Sequence, residues 1–466
     1  MSVEGWLKND MTRNRYADLL RVVAISGVVY GHWLLVSVTY RHGRLSGVNA
    51  IDYVSWGRWV TWAMQVMAVF FLVGGYVNAG SWTEHHAQGQ GWTLWVRDRV
   101  MRLLWPTAAY IAVAVIAVVI AQAAGVPRAE LAEIAWLMAL HLWFLPVYLL
   151  LNALTPVLLT AHRRWGFAVP AAMAVATALV AVVRTAPDLH FVGYADYLFV
   201  WGCIHQWGFA WQDGSLTSPR WRPYALAVAG AALLVGLVAS RTYKVDMVGS
   251  GNTNPPSIAF LAFAAAQSGL VLAAEPWVSR RLTGARLWRR VRRLNSVVMN
   301  IYLWHFVPAL IVAVAFYATG VIGQPPIGGA RWWELRLVWF ALLTALLVPL
   351  VAAVTWAERP MLRLPGGIGP TGWWSPVLLV IGIAAAAQSL ATFAVDGFAP
   401  DGGLPGPALA GFAVGITATL LTGRVPKPDG DDHRPQRLEA RDDALGDTGI
   451  AVTMQFDQEP GRTREH

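Results

Sequence analysis

Long apolar runs, each of a length suited to one membrane-spanning helix, alternate with short polar segments along the chain. A transmembrane helix needs about 20 mainly apolar residues, and this criterion predicts about twelve spans. They lie near residues 17–39, 58–80, 103–124, 141–160, 165–184, 191–212, 222–240, 256–275, 296–320, 335–356, 376–396 and 404–423. The pattern therefore predicts an all-α fold, a polytopic bundle of transmembrane helices.

The composition also indicates a membrane protein. Of the 466 residues, 56% are hydrophobic and 14% are charged, whereas soluble domains carry about 25% charged residues. The single cysteine, Cys203, excludes a disulfide or a cysteine-based metal site within one chain. The sequence has no phosphate-binding loop, zinc-ligand spacing or nucleophile-elbow motif, which argues against an ATP-driven pump or an appended hydrolase. We expect membrane lipids as partners, no metal and no nucleic acid.

The basic residues predict how the chain crosses the membrane. Lys and Arg are retained on the cytoplasmic side, and the segment RRLTGARLWRRVRR at residues 280–293 holds seven arginines. Both termini are therefore predicted to be cytoplasmic, with the helices in the cell membrane and residues 1–16 as an N-terminal segment. The first apolar run lacks a small-residue cleavage site, so we expect it to be retained. The polar residues 424–466 predict a disordered tail.

The first predicted helix carries ionisable residues in an apolar run, RYADLLRVVAISGVVYGHW at residues 15–33. Arg21 and His32 lie about three helical turns apart, on one face and about 16 Å apart along the axis. Asp18, one turn before Arg21, can pair with it. A charge at the centre of a membrane helix costs about 2.5–3.5 kcal/mol. We therefore expect Arg21 and His32 to line one cavity inside the bundle, open to the cytoplasm. His32 is then either a packing histidine or a buried base at the end of a polar path.

Other polar residues have both a structural and a functional interpretation. Arg99 and Arg102 share a helix face at the cytoplasmic end of the third span, where they either mark topology or bind the phosphates of an anionic ligand. His205, with Gln206, either lines a cavity or breaks the sixth helix. His141 is expected to mark the membrane boundary in the aromatic belt, with a functional role as the alternative.

Several short motifs occur in order over residues 15–360. They are Asp-x-x-Arg followed by His (Asp18, Arg21, His32), FFLVGG (residues 70–75), Arg-x-x-Arg (Arg99, Arg102), Trp-Phe-Leu (residues 143–145), Tyr-Leu-x-His (Tyr302, His305) and Glu-x-Pro (residues 358–360). In this order the motifs resemble the integral-membrane acyltransferase-3 family. One departure is visible: the family usually has Ser-Gly where this chain has Gly74 and Gly75. Any role of that serine hydroxyl is expected to be lost.

The resemblance implies a domain organisation and a reaction. Residues 17–360 would form an acyltransferase core of about ten spans, and residues 361–423 would add two helices outside it. The core would transfer an acyl group, commonly acetyl, from cytosolic acyl-CoA to a hydroxyl of a carbohydrate, glycolipid or secondary metabolite. Acyl-CoA would be a co-substrate, and no cofactor would be bound permanently.

The resemblance also implies roles for individual residues. His32 is expected to be the general base, because histidine exchanges protons near neutral pH. Arg21, with Asp18 as its partner, would be a donor-binding or an orienting cation, and Arg99 and Arg102 would hold the CoA phosphates.

Further residues are expected to shape the cavity or to contact the acceptor: Trp143, Tyr302, His305, His205 and Glu358. For His305 a simple bond between helices is the alternative, and Glu358 can equally have a structural role. A transporter of a lipid-linked or acylated substrate, or an inactive scaffold, would also suit a polytopic bundle. The sequence shows no inverted repeat and no matched pair of broken helices, the features that would favour a transporter.

Overall fold

The structure, a computed structural model, describes residues 14–41, 44–54, 56–282, 284–321, 325–359 and 374–422. The predicted tail, and most of the predicted N-terminal segment, lie outside the described residues. The chain divides into two units, residues 1–425 and residues 426–466, and all described residues belong to the first of these units.

The described chain is helical almost throughout. Its α-helices are α1 Arg15–Leu35, α2 Gly57–Met64, α3 Met67–Ala87, α4 Trp92–Ala123, α5 Arg128–Ala139, α6 Phe144–Trp165, α7 Ala168–Val183, α8 Asp196–Gln212, α9 Trp221–Ala239, α10 Ile258–Arg281, α11 Ala285–Ser296, α12 Val298–Trp304, α13 Phe306–Ala313, α14 Ala330–Glu358, α15 Ser375–Asp396 and α16 Gly406–Leu421. Strands β1 (Val36–Arg41) and β2 (Arg44–Asn49) pair antiparallel, and Leu140–Trp143 is a 3₁₀ helix.

Nine helical segments in the described part of the chain are long and apolar enough to cross a membrane. Of the remaining predicted spans, two correspond to the shorter apolar helices α7 and α16, and one corresponds to α8, which has 17 residues. The prediction of a polytopic helix bundle is thus confirmed, and the protein is a multi-pass membrane protein.

The bounds of several predicted spans differ from those in the structure. Three of these differences concern helices that carry predicted site residues. The first ends at Leu35 instead of residue 39, because Val36 and Thr39 are β-branched and suit the strand that follows. The ninth is divided into α12 and α13 at His305. A helix break, one of the two interpretations of His205, is not found, since α8 runs continuously from Asp196 to Gln212.

Helix α1 lies inside the bundle, as its charges predicted, and contacts α3, α10, α11, α12 and α14. It begins at a cap, because the Asn14 side chain accepts hydrogen bonds from the backbone N–H groups of Tyr16 and Ala17. Helices α3 and α8 approach closely where Gly75 meets Gly208, and a Cβ at either position would overlap the backbone of the other helix. This close contact with α8 thus fixes α3 in the core.

The single cysteine, Cys203, is buried in α8. Its side chain is 1% exposed, and its Sγ donates to the carbonyl of Pro170 at 3.4 Å. The thiol is therefore a packing group with a weak hydrogen bond.

Candidate active site

Two histidines from distant parts of the chain meet in the bundle. The Nδ1 of His32, in the last turn of α1, lies 2.9 Å from the Nε2 of His305, between α12 and α13. The rings stack with centroids 5.1 Å apart. The contact is a bond between helices, and a role of His305 in the reaction stays a prediction.

The hydrogen bonds determine which nitrogen of each ring carries the proton. The carbonyl of Tyr302 can only accept, so the Nδ1 of His305 donates to it, at 2.6 Å. A neutral imidazole has one N–H, so the Nε2 of His305 accepts, and the Nδ1–H of His32 is the donor. The Nε2 of neutral His32 is therefore unprotonated, the state that a base requires.

The break between α12 and α13 provides these partners. Pro308 has no N–H, and its ring collides with the carbonyl of Trp304, so an α-helix is interrupted here. The carbonyl of His305, at the break, accepts from the Nε1 of Trp33 at 2.8 Å. The carbonyl of Trp33 in turn accepts from Arg336 of α14 at 3.1 Å. The last turn of α1 is thus held in place beside the histidine pair.

His141 is a third histidine at this point, and the sequence did not predict that it would meet the other two. Its predicted position in the aromatic belt is wrong, because the side chain is completely buried. The ring centroid lies 5.2 Å from that of His305 and 5.5 Å from that of Tyr110. The hydroxyl of Tyr302 donates to the His141 carbonyl. The only signal in the sequence is that His141 stands two residues before Trp143 of the Trp-Phe-Leu motif.

A cavity of about 540 Å³ lies beside His32, and its volume is in the range of small-molecule sites. Its wall includes His32, Gln65, Trp143 and Tyr302. Two residues predicted to contact the acceptor, Trp143 and Tyr302, therefore share one cavity with the predicted base. His305 does not line the cavity; it contacts His32, which does.

The prediction that Arg21 lines the same cavity is wrong. The described residues around this cavity include His32 but not Arg21. The reason is the length of α1, which separates the two side chains by about 16 Å along the axis. Arg21 instead belongs to a second polar cluster.

Three arginines form that cluster. Arg21 and Arg102 lie near enough to Arg99 for their charges to interact, and the hydroxyl of Tyr148 does so as well. The guanidinium carbon of Arg99 also lies 5.3 Å from the centroid of the Trp95 ring. Like charges repel at short range unless an anion compensates them. This arrangement therefore suits an anionic ligand better than an empty site.

Asp18 has a different place from Arg21. It is buried, and its Oδ1 accepts from the Nδ2 of Asn295 at 2.7 Å. Asn295 is part of α11, a helix with five arginines between residues 285 and 296. Asp18 therefore connects α1 to α11, and its pairing with Arg21 stays a prediction.

Gly74 faces a tyrosine. A Cβ added at Gly74 would lie 2.8 Å from the Cε2 and 3.1 Å from the hydroxyl oxygen of Tyr148. The structure thus puts a different hydroxyl at the position where the expected serine would project. The Tyr148 ring is followed by Phe144, with centroids 5.3 Å apart, and then by Tyr302 at 5.0 Å from Phe144. These rings connect the arginine cluster to the histidines.

The two remaining predicted site residues lie elsewhere. His205 is completely buried, with its Nε2 3.4 Å from the Nδ2 of Asn78, and it does not line the cavity beside His32. Glu358, at the end of α14, accepts from the Nδ2 of Asn300 at 2.8 Å. It joins α14 to α12, which agrees with the structural interpretation.

The chain is similar to a known protein family. The sequence profile of an acyltransferase domain matches residues 14–356, which is most of the chain. The protein therefore belongs to the integral-membrane acyltransferase-3 family, and it is a membrane acyltransferase. The match includes nearly all of α1–α14 and leaves α15 and α16 outside it. No curated protein and no solved structure matches the chain.

Proposed function

We propose that this acyltransferase moves a short acyl group, such as acetyl, from acyl-CoA to a hydroxyl of a carbohydrate, glycolipid or secondary metabolite in the cell membrane. The observation that carries the proposal is the pair of hydrogen bonds through His305, which leave the Nε2 of His32 unprotonated at a cavity wall. A hydroxyl is a poor nucleophile until a base removes its proton. A transporter has no need of this arrangement.

In the proposed reaction the acceptor hydroxyl lies against the Nε2 of His32. The nitrogen takes the proton while the oxygen attacks the thioester carbonyl, which gives a tetrahedral intermediate and an imidazolium. The intermediate collapses as the carbon–sulfur bond breaks, and the imidazolium returns the proton to the departing thiolate. The products are the ester and CoA, and His32 is neutral again.

His305 acts through His32 as a positioning residue. Its Nε2 accepts from the Nδ1–H of His32 before and during the proton transfer. The bond holds the ring in one orientation and stabilises the positive charge that develops on it, as the orienting group does in other base-assisted acyl transfers. The short bond to the Tyr302 carbonyl keeps His305 itself in the correct tautomer.

The arginine cluster would bind the donor. Acyl-CoA carries several phosphate charges, and planar guanidinium groups pair with phosphate oxygens through two parallel bonds. The distance of about 16 Å along α1 between Arg21 and His32 is of the order that an extended pantetheine arm can span. With the N-terminus in the cytoplasm, the cluster would face the compartment that contains acyl-CoA.

The decisive experiment uses purified protein and acyl-CoA with a radiolabelled acyl group. An acyltransferase releases free CoA and places the label on a hydroxyl compound of a cell-envelope extract. A transporter or a scaffold releases no CoA. Replacing the exposed His86 by Gln is a matched control that leaves release unchanged.

The donor site has its own test. Arg99→Ala removes charge-assisted bonds worth about 1.5–3 kcal/mol, so the KM for acyl-CoA should rise about 10- to 100-fold. Arg99→Lys should restore only part of this, because lysine lacks the planar fork. Arg164→Ala, an exposed arginine at the end of α6, serves as the control. An unchanged KM for acyl-CoA in Arg99→Ala would show that the arginines only mark the cytoplasmic side of the membrane.

A further inference from the structure

Helix α15 lies outside the matched family domain, yet it forms part of the cavity. The match ends at residue 356, and Ala394 and Val395 near the end of α15 lie on the cavity wall with His32. Val395 is 71% exposed, so its side chain stands at an open edge of the cavity. A segment that is not part of the common core thus contributes to the space beside the predicted base.

The same helix packs against the segment that carries His141. Helix α15 contacts the 3₁₀ helix Leu140–Trp143, and it also contacts α5 and α6 on either side. Trp143 from this segment lines the cavity. The wall made by α15 is therefore continuous with residues of the core.

The turn after α15 fixes this contact. Gly397 has a φ of 81°, and a Cβ there would lie 2.8 Å from the Cα of Trp136, so the turn needs glycine for its conformation and for its close approach to α5. The next residue, Phe398, is completely buried, with its ring centroid 6.0 Å from that of Tyr110. A buried aromatic anchor of this kind holds the end of α15 rigidly.

The cavity wall carries both apolar and polar residues. Trp136, Ala394 and Val395 are apolar wall residues, whereas Gln65, Thr253 and Asn254 are polar ones. An acceptor that fills this space would pair hydroxyl or other polar groups with these polar residues and place an apolar part against α15.

We propose that α15 is the acceptor-selecting wall of this enzyme, and that the small side chains of Ala394 and Val395 admit an amphiphilic, hydroxyl-bearing acceptor. The inference rests on the proposed function and deepens it. Tryptophan at either position would occupy the space of the acceptor, while the donor cluster at Arg99 lies near the other end of α1 and would keep its affinity for CoA.

The test compares four variants: Ala394→Trp, Val395→Trp, Val395→Ala and Val380→Trp. Val380 is the matched control, because it is a valine of the same helix, 58% exposed, and about 22 Å from Val395 along the axis. Each variant is expressed in cells that lack the gene, and envelope lipids, glycans and metabolites are compared by mass spectrometry. Thermal stabilisation of each purified variant by CoA reports the donor site and the folded state.

The two tryptophan variants at the wall should lose the acylated product at least about tenfold, the cost of one obstructed contact of about 1.4 kcal/mol, while stabilisation by CoA is unchanged. Val395→Ala and Val380→Trp should keep the product. Normal product in both wall variants would overturn the inference, and so would loss of CoA stabilisation together with the product. Absence of any acylated product from the unmodified protein would overturn the proposed function, and this inference with it.

Discussion

His305 and His205 are both completely buried histidines, and the difference between them lies in the helices that hold them. His305 stands where a helix is broken, and its two ring nitrogens contact a carbonyl and a second histidine. His205 lies within the continuous helix α8, beside Asn78. Burial therefore does not distinguish the histidine that we propose to act in the reaction from one that we expect only to pack between helices.

The break between α12 and α13 provides a backbone carbonyl that can accept a hydrogen bond from a side chain. In an unbroken α-helix the carbonyl of Tyr302 would accept from the backbone N–H four residues later. At the break it accepts from the ring of His305 instead, and this bond sets the tautomer of both histidines. In α8 the backbone groups bond within the helix, and α3 approaches so closely that a Cβ at Gly75 would overlap the His205 carbonyl.

The largest expected effect is at His32, which connects the broken helix to the cavity. His32→Gln keeps hydrogen-bonding capacity but cannot accept and carry a proton, so turnover per folded molecule should fall about 10²–10⁴-fold. The measurement is label transfer from acyl-CoA, normalised to monodisperse protein. Near-normal turnover would make the pair of histidines a structural contact and remove the contrast with His205.

His305→Leu should have the next largest effect. It removes the acceptor for the Nδ1–H of His32 and leaves that group unpaired, at a cost of about 1–3 kcal/mol, or about 10- to 100-fold in turnover. His305→Gln retains an acceptor oxygen and should recover part of the rate. Equal losses in the two variants would show that bulk, and not the hydrogen bond, is what His305 contributes.

Pro308→Ala restores a backbone N–H at the break. The segment can then approach a regular helix, which weakens the bond from His305 to the Tyr302 carbonyl, and turnover should fall about threefold, or about 0.6 kcal/mol. Infrared or hydrogen-exchange measurements would detect the added backbone bond. A variant with the new backbone bond but full turnover would show that the helix break does not contribute to the reaction.

His205→Gln should have the smallest effect on the reaction. Turnover per folded molecule should be unchanged, while loss of a buried hydrogen bond lowers the free energy of unfolding by about 1 kcal/mol, measured as a small fall in Tm. A large fall in turnover at unchanged Tm would contradict the distinction between the two histidines.

The sequence predicts the membrane spans, and the charged residues within them, for physical reasons. Apolar runs of membrane length are rare in other proteins, and charges such as Arg21 in such a run are conspicuous. The end of α1 was less predictable, because Val36 and the residues after it are as apolar as those before, and only pairing with β2 decides their conformation.

The site is less predictable than the spans. His32 and His305 are 273 residues apart, and no local pattern states that their rings meet. His141 looks like a boundary residue because an apolar run begins there, and only the inward course of the 3₁₀ helix Leu140–Trp143 buries it. The contact of Tyr148 with Gly74 likewise depends on tertiary packing, and the sequence around the glycine does not predict it.

The burial of Cys203 has a practical consequence for the whole molecule. Because the natural thiol is inaccessible, a cysteine introduced at the surface can be labelled selectively in an otherwise unaltered chain. Gln88→Cys, after α3, and Leu404→Cys, before α16, should react with impermeant maleimides from opposite faces of sealed vesicles if the N-terminus is cytoplasmic. Fluorophores at the same two positions would report changes in the distance between them during turnover.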